Sequence, residues 1–388
     1  MAMTVCGVIA EYDPFHRGHE RHLRLAREAT GADYVIAVMS GSFTQRGMPA
    51  LLPAHARAEM ALRCGADAVL QLPYAFSVRE AEYFALGGVY ILHRLGCVTH
   101  LSFGCETEQI DVLKQAADLL EAPDEAFDRA VQAHLAAGQS FAAAQGRAVA
   151  QRLGIPPQTL NAPNTALALC YLRALIRLGS GIIPVPILRQ ADYRATQLEA
   201  LPSATAVRGA ILRGDWQGVA RAVPENALPT LRNAVFAGLC PPDRVDLPLR
   251  QALLLARPEA VAAWPGVGEG LEMRILKAAE TAVSREELIA QIKSRRYTYG
   301  RISRALCHGL MGVTKDDLPS LPASARILGF RESARPLLRR MRENGFPLYS
   351  RPARQPDAAL DARADDLWRV LAGQPRGDTY RRSPVILP

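Results

Sequence analysis
His16 and His19 stand three residues apart behind an apolar run and a turn, in the segment Val5-Cys-Gly-Val-Ile-Ala-Glu-Tyr-Asp-Pro-Phe-His-Arg-Gly-His19. At helical spacing the two rings share a face, so both can direct hydrogen-bond donors at one set of phosphoryl oxygens. A helix starting here adds unpaired backbone N–H groups and a partial positive charge, and Gly18 lets the backbone approach an anion closely. The chemistry expected of this arrangement is binding of a phosphate and stabilisation of its oxygens. Two plainer readings fit the same residues: an ordinary surface helix start, or a zinc site built from His16, His19 and His22. The zinc reading lacks a cysteine or well-spaced carboxylate as a fourth ligand, so no metal is assigned to these side chains.

Other segments carry groups suited to anions or bases. Ser40-Gly-Ser-Phe-Thr-Gln-Arg46-Gly47 is a polar loop with a cation, set against the simpler reading of a connection. Ser203-Ala-Thr205-Ala-Val-Arg208 places two hydroxyls and a guanidinium at an expected helix start, where Ser203 or Thr205 would also serve as a cap. Pro73-Tyr-Ala-Phe offers two rings for base stacking or, more commonly, for the core, and Ser102-Phe-Gly104-Cys-Glu106 sets a glycine at a strand end. Further along, Lys293-Ser-Arg295-Arg296-Tyr297-Thr-Tyr299-Gly-Arg301-Ile-Ser-Arg304 interleaves cations with tyrosines. Such a run can neutralise RNA phosphates and stack unpaired bases. The usual outcome for a charge run is a solvated helix face. A second arginine-dense stretch, Arg326, Arg331, Arg335, Arg339, Arg340 and Arg342, tips the balance toward a nucleic-acid surface.

These groups need a scaffold. Apolar runs at 4–10, 34–39, 68–72 and 99–103 alternate with segments of i, i+3, i+4 spacing. That alternation predicts a parallel sheet covered by helices on both faces, with ligands beyond the carboxyl ends of the strands. His16 follows the first strand, Ser40–Gly47 the second and Gly104 the fourth, so the three converge on one rim. Residues 107–160 read as a helical excursion, Pro163-Asn164-Thr opens another helix, and Ile182–Leu188 gives a fifth strand whose prolines favour an edge. Gly266-Val-Gly-Glu-Gly270 lacks the lysine of a phosphate loop and reads as a turn before a helix. The fold class expected is α/β: a Rossmann-like catalytic unit over 1–213, a mainly helical unit over 214–350, and a Pro/Arg-rich tail over 351–388 that is partly disordered.

The 388 residues exceed what one hydrophobic core usually organises. Lys and Arg outnumber Asp and Glu by 46 to 38, a net +8 that suits a polyanionic partner. Seven scattered cysteines, odd in number and without a C-x-x-C pair, argue against a secreted disulfide framework. With no apolar run of membrane-spanning length, a cytoplasmic protein without a membrane partner is expected.

Taken in order, these segments resemble one family, the bacterial tRNA(Met) cytidine acetate ligases, within the nucleotidyltransferase superfamily that carries a histidine-any-glycine-histidine signature. The resemblance rests on Gly7–His19, Ser40–Ala50, Gly65–Pro73, Phe103–Glu106, the Pro163-Asn-Thr-Ala-Leu-Ala segment, Ser203–Arg208, Glu269–Ile275 and Lys293–Thr298, and covers roughly residues 4–345. Three positions depart from it: Asp13 and Arg17 stand where Asn is usual, and Ser42 where Asn or a similar residue is usual. The segment after Arg189 also looks shorter.

The resemblance implies a ligase forming a carbon–nitrogen bond, which acetylates N4 of the wobble cytidine of elongator tRNA(Met) from acetate and ATP through acetyl-adenylate. ATP would then contact Ile9, Ala10, Glu11, Tyr12, Asp13, Pro14, Phe15, His16, Arg17, Gly18, His19, Glu20, Arg21 and His22, with Gly104, Asn164 and Arg189 completing the site. His16 and His19 would be catalytic, and Ser203, Thr205 and Arg208 would hold the departing pyrophosphate with Mg²⁺. Lys293, Arg295, Arg296, Tyr297 and Arg301 would meet the tRNA anticodon loop; no DNA partner is expected. A small-molecule adenylyltransferase, and an RNA-binding protein that holds ATP without catalysis, are the alternatives.

Overall fold
Five strands, β1 (Val5–Ala10), β2 (Tyr34–Ser40), β3 (Ala68–Leu72), β4 (His100–Cys105) and β5 (Ile183–Leu188), form where the apolar runs predict them. The computed structural model describes residues 3–388 apart from 108, 140, 161, 190–201, 353–354, 356–357 and 378. Successive strand residues point to opposite faces, and both faces are covered. Val5, Ile36, Val38 and Leu70 pack with the helices Ala81–Arg94 and Pro163–Arg177. Cys6, Val8, Val35 and Met39 pack with Arg17–Thr30, Ala54–Arg63 and Ala204–Leu212. This double burial is why the strands read as continuous apolar runs.

Strands β1–β5 pair in parallel in the order β5-β4-β1-β2-β3. From β1 the chain builds outward through β2 and β3, then crosses back to place β4 on the other side. The reversal opens a crevice beyond the carboxyl ends of β1 and β4, the usual ligand position in such sheets.

Beyond residue 214 the chain is mainly helical, as expected, but it also returns to the sheet. Three further strands, β6 (Ala325–Arg331), β7 (Leu348–Tyr349) and β8 (Val385–Leu387), extend the sheet, with β6 antiparallel to β3 and both β7 and β8 parallel to β6. Reading Arg326 as part of a nucleic-acid surface hid β6. Its side chain is 1% exposed, and Nη1 lies 2.9 Å from Asp365 Oδ2. The described part of the tail likewise contains a folded element: the Ala359–Leu371 helix buries Trp368, whose Nε1–H donates to Ala50 O at 2.6 Å. Between these parts, Leu249, Trp264, Leu271, Ile275, Ile289 and Leu306 close a separate helical core. Among the described residues no helix is long and apolar enough to cross a membrane.

The helical part is seated directly on the rim. Ser303 Oγ of the Tyr299–Met311 helix donates to Arg46 O in the loop after β2. The next residue, Gly47, has φ +71°, and a Cβ there would lie 2.6 Å from Ser303 O. Gly47→Ala is therefore expected to cost about 1–3 kcal/mol from the left-handed backbone alone, with the backbone clash adding to it. Urea unfolding measures this, and an unchanged midpoint would show that the loop does not dock as described.

Candidate active site
A cavity of about 300 Å³ opens at the crevice, lined by residues that follow β1, β2, β4 and β5 and by the starts of the Pro163–Arg177 and Ala204–Leu212 helices. It gathers Ile9, Ala10, Glu11, Tyr12, Asp13, His16, His19, His22, Gly104, Asn164, Arg189, Ser203, Thr205 and Arg208 around one space. Gly18 and Arg21 face an adjoining recess with Ile187, Leu188 and Pro202. Pro14, Phe15, Arg17 and Glu20 are not among the residues lining either space. Phe15 is instead a buried support, its ring centroid 5.5 Å from that of His19, while Arg17 Nε–H donates to Arg221 O at 2.7 Å.

His16 is the N-cap of the Arg17–Thr30 helix, with extended backbone at φ −146°. Its Nδ1 accepts the Gly18 N–H at 3.1 Å, and His19 Nδ1 accepts the His16 N–H at 3.3 Å. The arrangement is a capping box written with imidazoles instead of a hydroxyl and a carboxylate. With each Nδ1 used as an acceptor, the proton of each neutral ring sits on Nε2. The rings stack with centroids 3.7 Å apart at 26°, so the pair offers two neighbouring Nε2–H donors. Beneath them Tyr12, held at φ +50°, sets its ring 4.9 Å from His19.

Burial, reinforced by Arg189 and Arg208, pushes the His16 pKa down to about 3. Burial also holds His19 well below the ordinary imidazole range, and burial with Arg189 and Arg21 takes His22 to about 4. A folded ring held below 6.5 stays neutral where the unfolded chain takes up a proton, so stability is complete above about pH 6.5 and is lost as pH falls toward 4 and then 3. Ring-carbon NMR signals of His16 and His22 are expected to stay flat between pH 7.5 and 5.5 while resistance to urea declines. A His16 midpoint near 6.5 would contradict this.

Arg57, fully buried, ties the rim together: its guanidinium donates to Leu52 O at 3.1 Å, Glu11 O at 2.6 Å, Ser40 O at 3.1 Å, and to Gly41 O. It thus fixes the ends of β1 and β2 relative to each other. Asp13 acts as a loop clasp, accepting Leu51 N–H at 2.7 Å on Oδ1 and facing Arg208 Nη1 at 3.3 Å through Oδ2. Glu11 accepts Gln45 N–H at 2.6 Å, and burial pushes its carboxyl above the usual range. Ser203 caps its helix through Ala206 N–H at 3.1 Å. Thr205 Oγ1 receives Arg208 Nη2 at 3.0 Å and Arg46 Nη1 at 3.4 Å, so two guanidiniums converge beside the histidines.

On the opposite wall Phe84, Phe103, Leu167 and Tyr171 supply an apolar surface. Asn164 stands at the helix start, its Nδ2 donating to Glu106 Oε1 at 2.6 Å. Glu106 also accepts Asn164 N–H at 3.1 Å, Thr165 N–H at 2.7 Å and Thr165 Oγ1–H at 2.8 Å. Burial works to raise its pKa, and these hydrogen bonds outweigh burial and hold it low. With Nδ2 engaged, the Asn164 amide oxygen is oriented as an acceptor. Gly104 admits the Arg189 side chain, whose Cγ and Cδ would lie 3.1 Å from a Cβ there. Arg57 and Tyr171 were not singled out by the sequence, while Arg46 and Glu106 were named only as parts of their segments and given no role. The -Phe-Gly-Cys-Glu- motif was the one signal for Glu106, and nothing local marked Arg57.

The basic run on the helical part lies outside this cavity, apart from the contact its helix makes with the Arg46 loop. Lys293, Arg295 and Arg296 are exposed, and Arg296 Nε is 3.0 Å from Glu269 Oε2. Tyr297 is 3% exposed, and its hydroxyl donates to Glu269 O at 2.6 Å, so its ring belongs to the helical core and not to a stacking surface. Arg301 is half-buried, with Nε–H donating to Gly266 O at 2.8 Å.

The profile of the HIGH Nucleotidyl Transferase family matches residues 3–382. A Clostridium perfringens protein named tRNA(Met) cytidine acetate ligase is 35% identical, with the match covering 99% of this chain and 100% of the relative. A protein of the same name from Acetivibrio thermocellus is 38% identical over 89% of this chain and 88% of its own length. The crystal structure of Thermotoga maritima TmcAL bound with alpha-thio ATP superimposes with a TM-score of 0.91 at 29% identity, covering 99% of this chain and 100% of that one. The apo form of the same protein gives 0.93 at 30% identity. With relatives of one name matched along almost its entire length, the chain belongs to the HIGH nucleotidyl transferases and, among them, to the tRNA(Met) cytidine acetate ligase family.

Proposed function
We propose that this protein activates acetate with ATP and transfers the acetyl group to N4 of the wobble cytidine of elongator tRNA(Met). The observation that carries the reading is the stacked His16–His19 pair, two neutral Nε2–H donors at a helix N-terminus inside the crevice beside β1 and β4. ATP occupies the cavity with its base against Phe84, Phe103 and Tyr171, near the Asn164 acceptor, and its phosphates toward the histidines, Thr205 and Arg208. Acetate is ionised at neutral pH, so its attack on the α-phosphorus needs positioning and charge neutralisation, not a base. An acetate oxygen forms the new P–O bond and pyrophosphate leaves with the electrons of the broken one. The Nε2–H donors stabilise the crowded phosphoryl oxygens, while Arg208 and Arg46 balance the departing charge.

Magnesium accompanying ATP would bind through the phosphate oxygens and supply charge neutralisation there. The nearby carboxylates are already engaged, Asp13 by Leu51 N–H and Arg208, and Glu11 by Gln45 N–H. In the second step the cytosine amine attacks the acetyl carbonyl, AMP departs with the oxygen it gained from acetate, and the amine loses a proton. The poor nucleophilicity of that amine is why an activated acyl donor is required. Recognition of an unstacked base in the anticodon loop falls to the basic helical part, with Lys293, Arg295, Arg296 and Arg301 supplying phosphate contacts. Incubation with ATP, labelled acetate and elongator tRNA(Met) tests the reading. Label in N4-acetylcytidine, identified by mass spectrometry of the digested tRNA, is the expected result, and unmodified tRNA refutes it.

A further inference from the structure
Next to the catalytic cavity a second one, of about 280 Å³, opens between the start of the Ala81–Arg94 helix and the Tyr299–Met311 helix. Arg79, Arg301, Arg304 and Lys315 line it, and Glu80 is the one carboxylate among its lining residues. Arg301, Arg304 and His308 follow i, i+3, i+7 spacing, which puts them on one helical face. On the other side, Glu80 immediately precedes Ala81, which with Phe84 lines the catalytic cavity. The two cavities are thus separated by the thickness of one helix start.

Three of the cations are held in place by backbone carbonyls, which carry no net charge. Arg79 Nη1 donates to Pro319 O at 3.2 Å, Arg301 Nε to Gly266 O at 2.8 Å, and Lys315 Nζ to Ala262 O at 2.8 Å. Arg301 has a looser approach to Glu269, at 3.6 Å. His308 adds no charge, since burial pushes it down to about 3 and its Nδ1 is shared with the Tyr74 hydroxyl at 3.3 Å. Arg304 differs from its neighbours. Among the described residues its side chain makes no hydrogen bond and no ion pair, and Glu80 acts on it only through space. A guanidinium drawn out of water without a partner is costly, and an oxyanion that enters the cavity removes that cost.

We propose that this cavity seats one backbone phosphate of the RNA strand flanking the nucleotide held in the catalytic cavity. The inference rests on the tRNA-acetylating reading for the identity of the strand. A phosphodiester carries one charge and two free oxygens, which a guanidinium can meet through two parallel N–H donors. Because the walls come from both the sheet-bearing and the helical parts, the bound phosphate fixes the strand at the seam between them, one helix start away from the acetyl donor.

Arg304→Gln in the full chain tests this, with Arg304→Lys as the conservative variant. Expected for Gln is a five- to twentyfold weaker tRNA affinity and a slope of log K against log salt that is shallower by about 0.7–0.9, the loss of one phosphate contact. Lys should recover part of the affinity and the full slope. Acetate-dependent exchange of pyrophosphate into ATP, which involves no RNA, should stay within twofold of the parent and reports that the fold is intact. An unchanged slope overturns the proposal. So does thermal stabilisation by millimolar inorganic phosphate that depends on Arg304 while tRNA binding does not, since the cavity would then serve a free anion. The slope is read without turnover, so a parent protein that binds tRNA but never acetylates it would count against the ligase reading and leave the phosphate contact to be judged by binding alone.

Discussion
His19→Ala is expected to slow acetate-dependent exchange of pyrophosphate into ATP by about 10²–10³-fold, with the apparent affinity for ATP changed far less. One preorganised donor aimed at developing charge is worth about that much in rate. The effect falls on kcat because the Nε2–H groups meet phosphoryl oxygens most strongly when the α-phosphorus is crowded by both acetate and pyrophosphate. His19 also accepts the His16 N–H, so its loss loosens the helix start as well. His16→Ala should cost a similar factor in rate and, because the Nδ1 cap to Gly18 disappears, about 1 kcal/mol of stability. His16→Asn separates the two roles, since asparagine is a good N-cap yet cannot reproduce a stacked imidazole donor. Exchange within threefold of the parent in His19→Ala would remove the pair from the chemistry.

Arg326→Met carries the largest expected effect on stability, a loss of roughly 3–5 kcal/mol, because it strands a buried carboxylate. Asp365 receives Arg326 Nη1 at 2.9 Å, Ser42 Oγ–H at 2.5 Å and Thr379 Oγ1–H at 3.1 Å. The cluster joins the sheet edge, the loop after β2 and the chain near its end. The short hydroxyl of Ser42 fits between that loop and Asp365. Adding Asp365→Leu should restore much of the loss, since replacing both members of a buried pair leaves no uncompensated charge. Urea denaturation measures both variants. A loss below 1 kcal/mol for Arg326→Met would mean that the Arg326–Asp365 pair does not hold the sheet edge as described.

The five parallel strands and the rim they share were legible because strands covered on both faces leave continuous apolar runs, and because His16, Ser40–Gly47 and Gly104 each follow one of them. The three further strands that extend the sheet to eight were not legible. In Ala325–Arg331 the arginine at 326 outweighed an apolar pattern, and only the distant Asp365 reveals that this guanidinium is interior. Tyr297 misled in the opposite sense: flanked by cations it looked like a surface ring, but its hydroxyl reaches a backbone carbonyl inside the helical core. Arg57 could not be found from sequence, because its meaning lies in carbonyls contributed by Glu11, Ser40, Gly41 and Leu52, which only the folded chain brings together. The histidines were found, but not their tautomer. That follows from two backbone N–H groups that occupy both Nδ1 atoms.

The central claim is that the cavity beside His16 and His19 joins acetate to the α-phosphorus of ATP. Turnover with acetate labelled by ¹⁸O in both oxygens, in the presence of tRNA(Met), tests it most directly. The account predicts that the AMP released carries one ¹⁸O in its phosphate and that the acetyl group on the tRNA retains the other. AMP without label, or label recovered in pyrophosphate or inorganic phosphate, would contradict it.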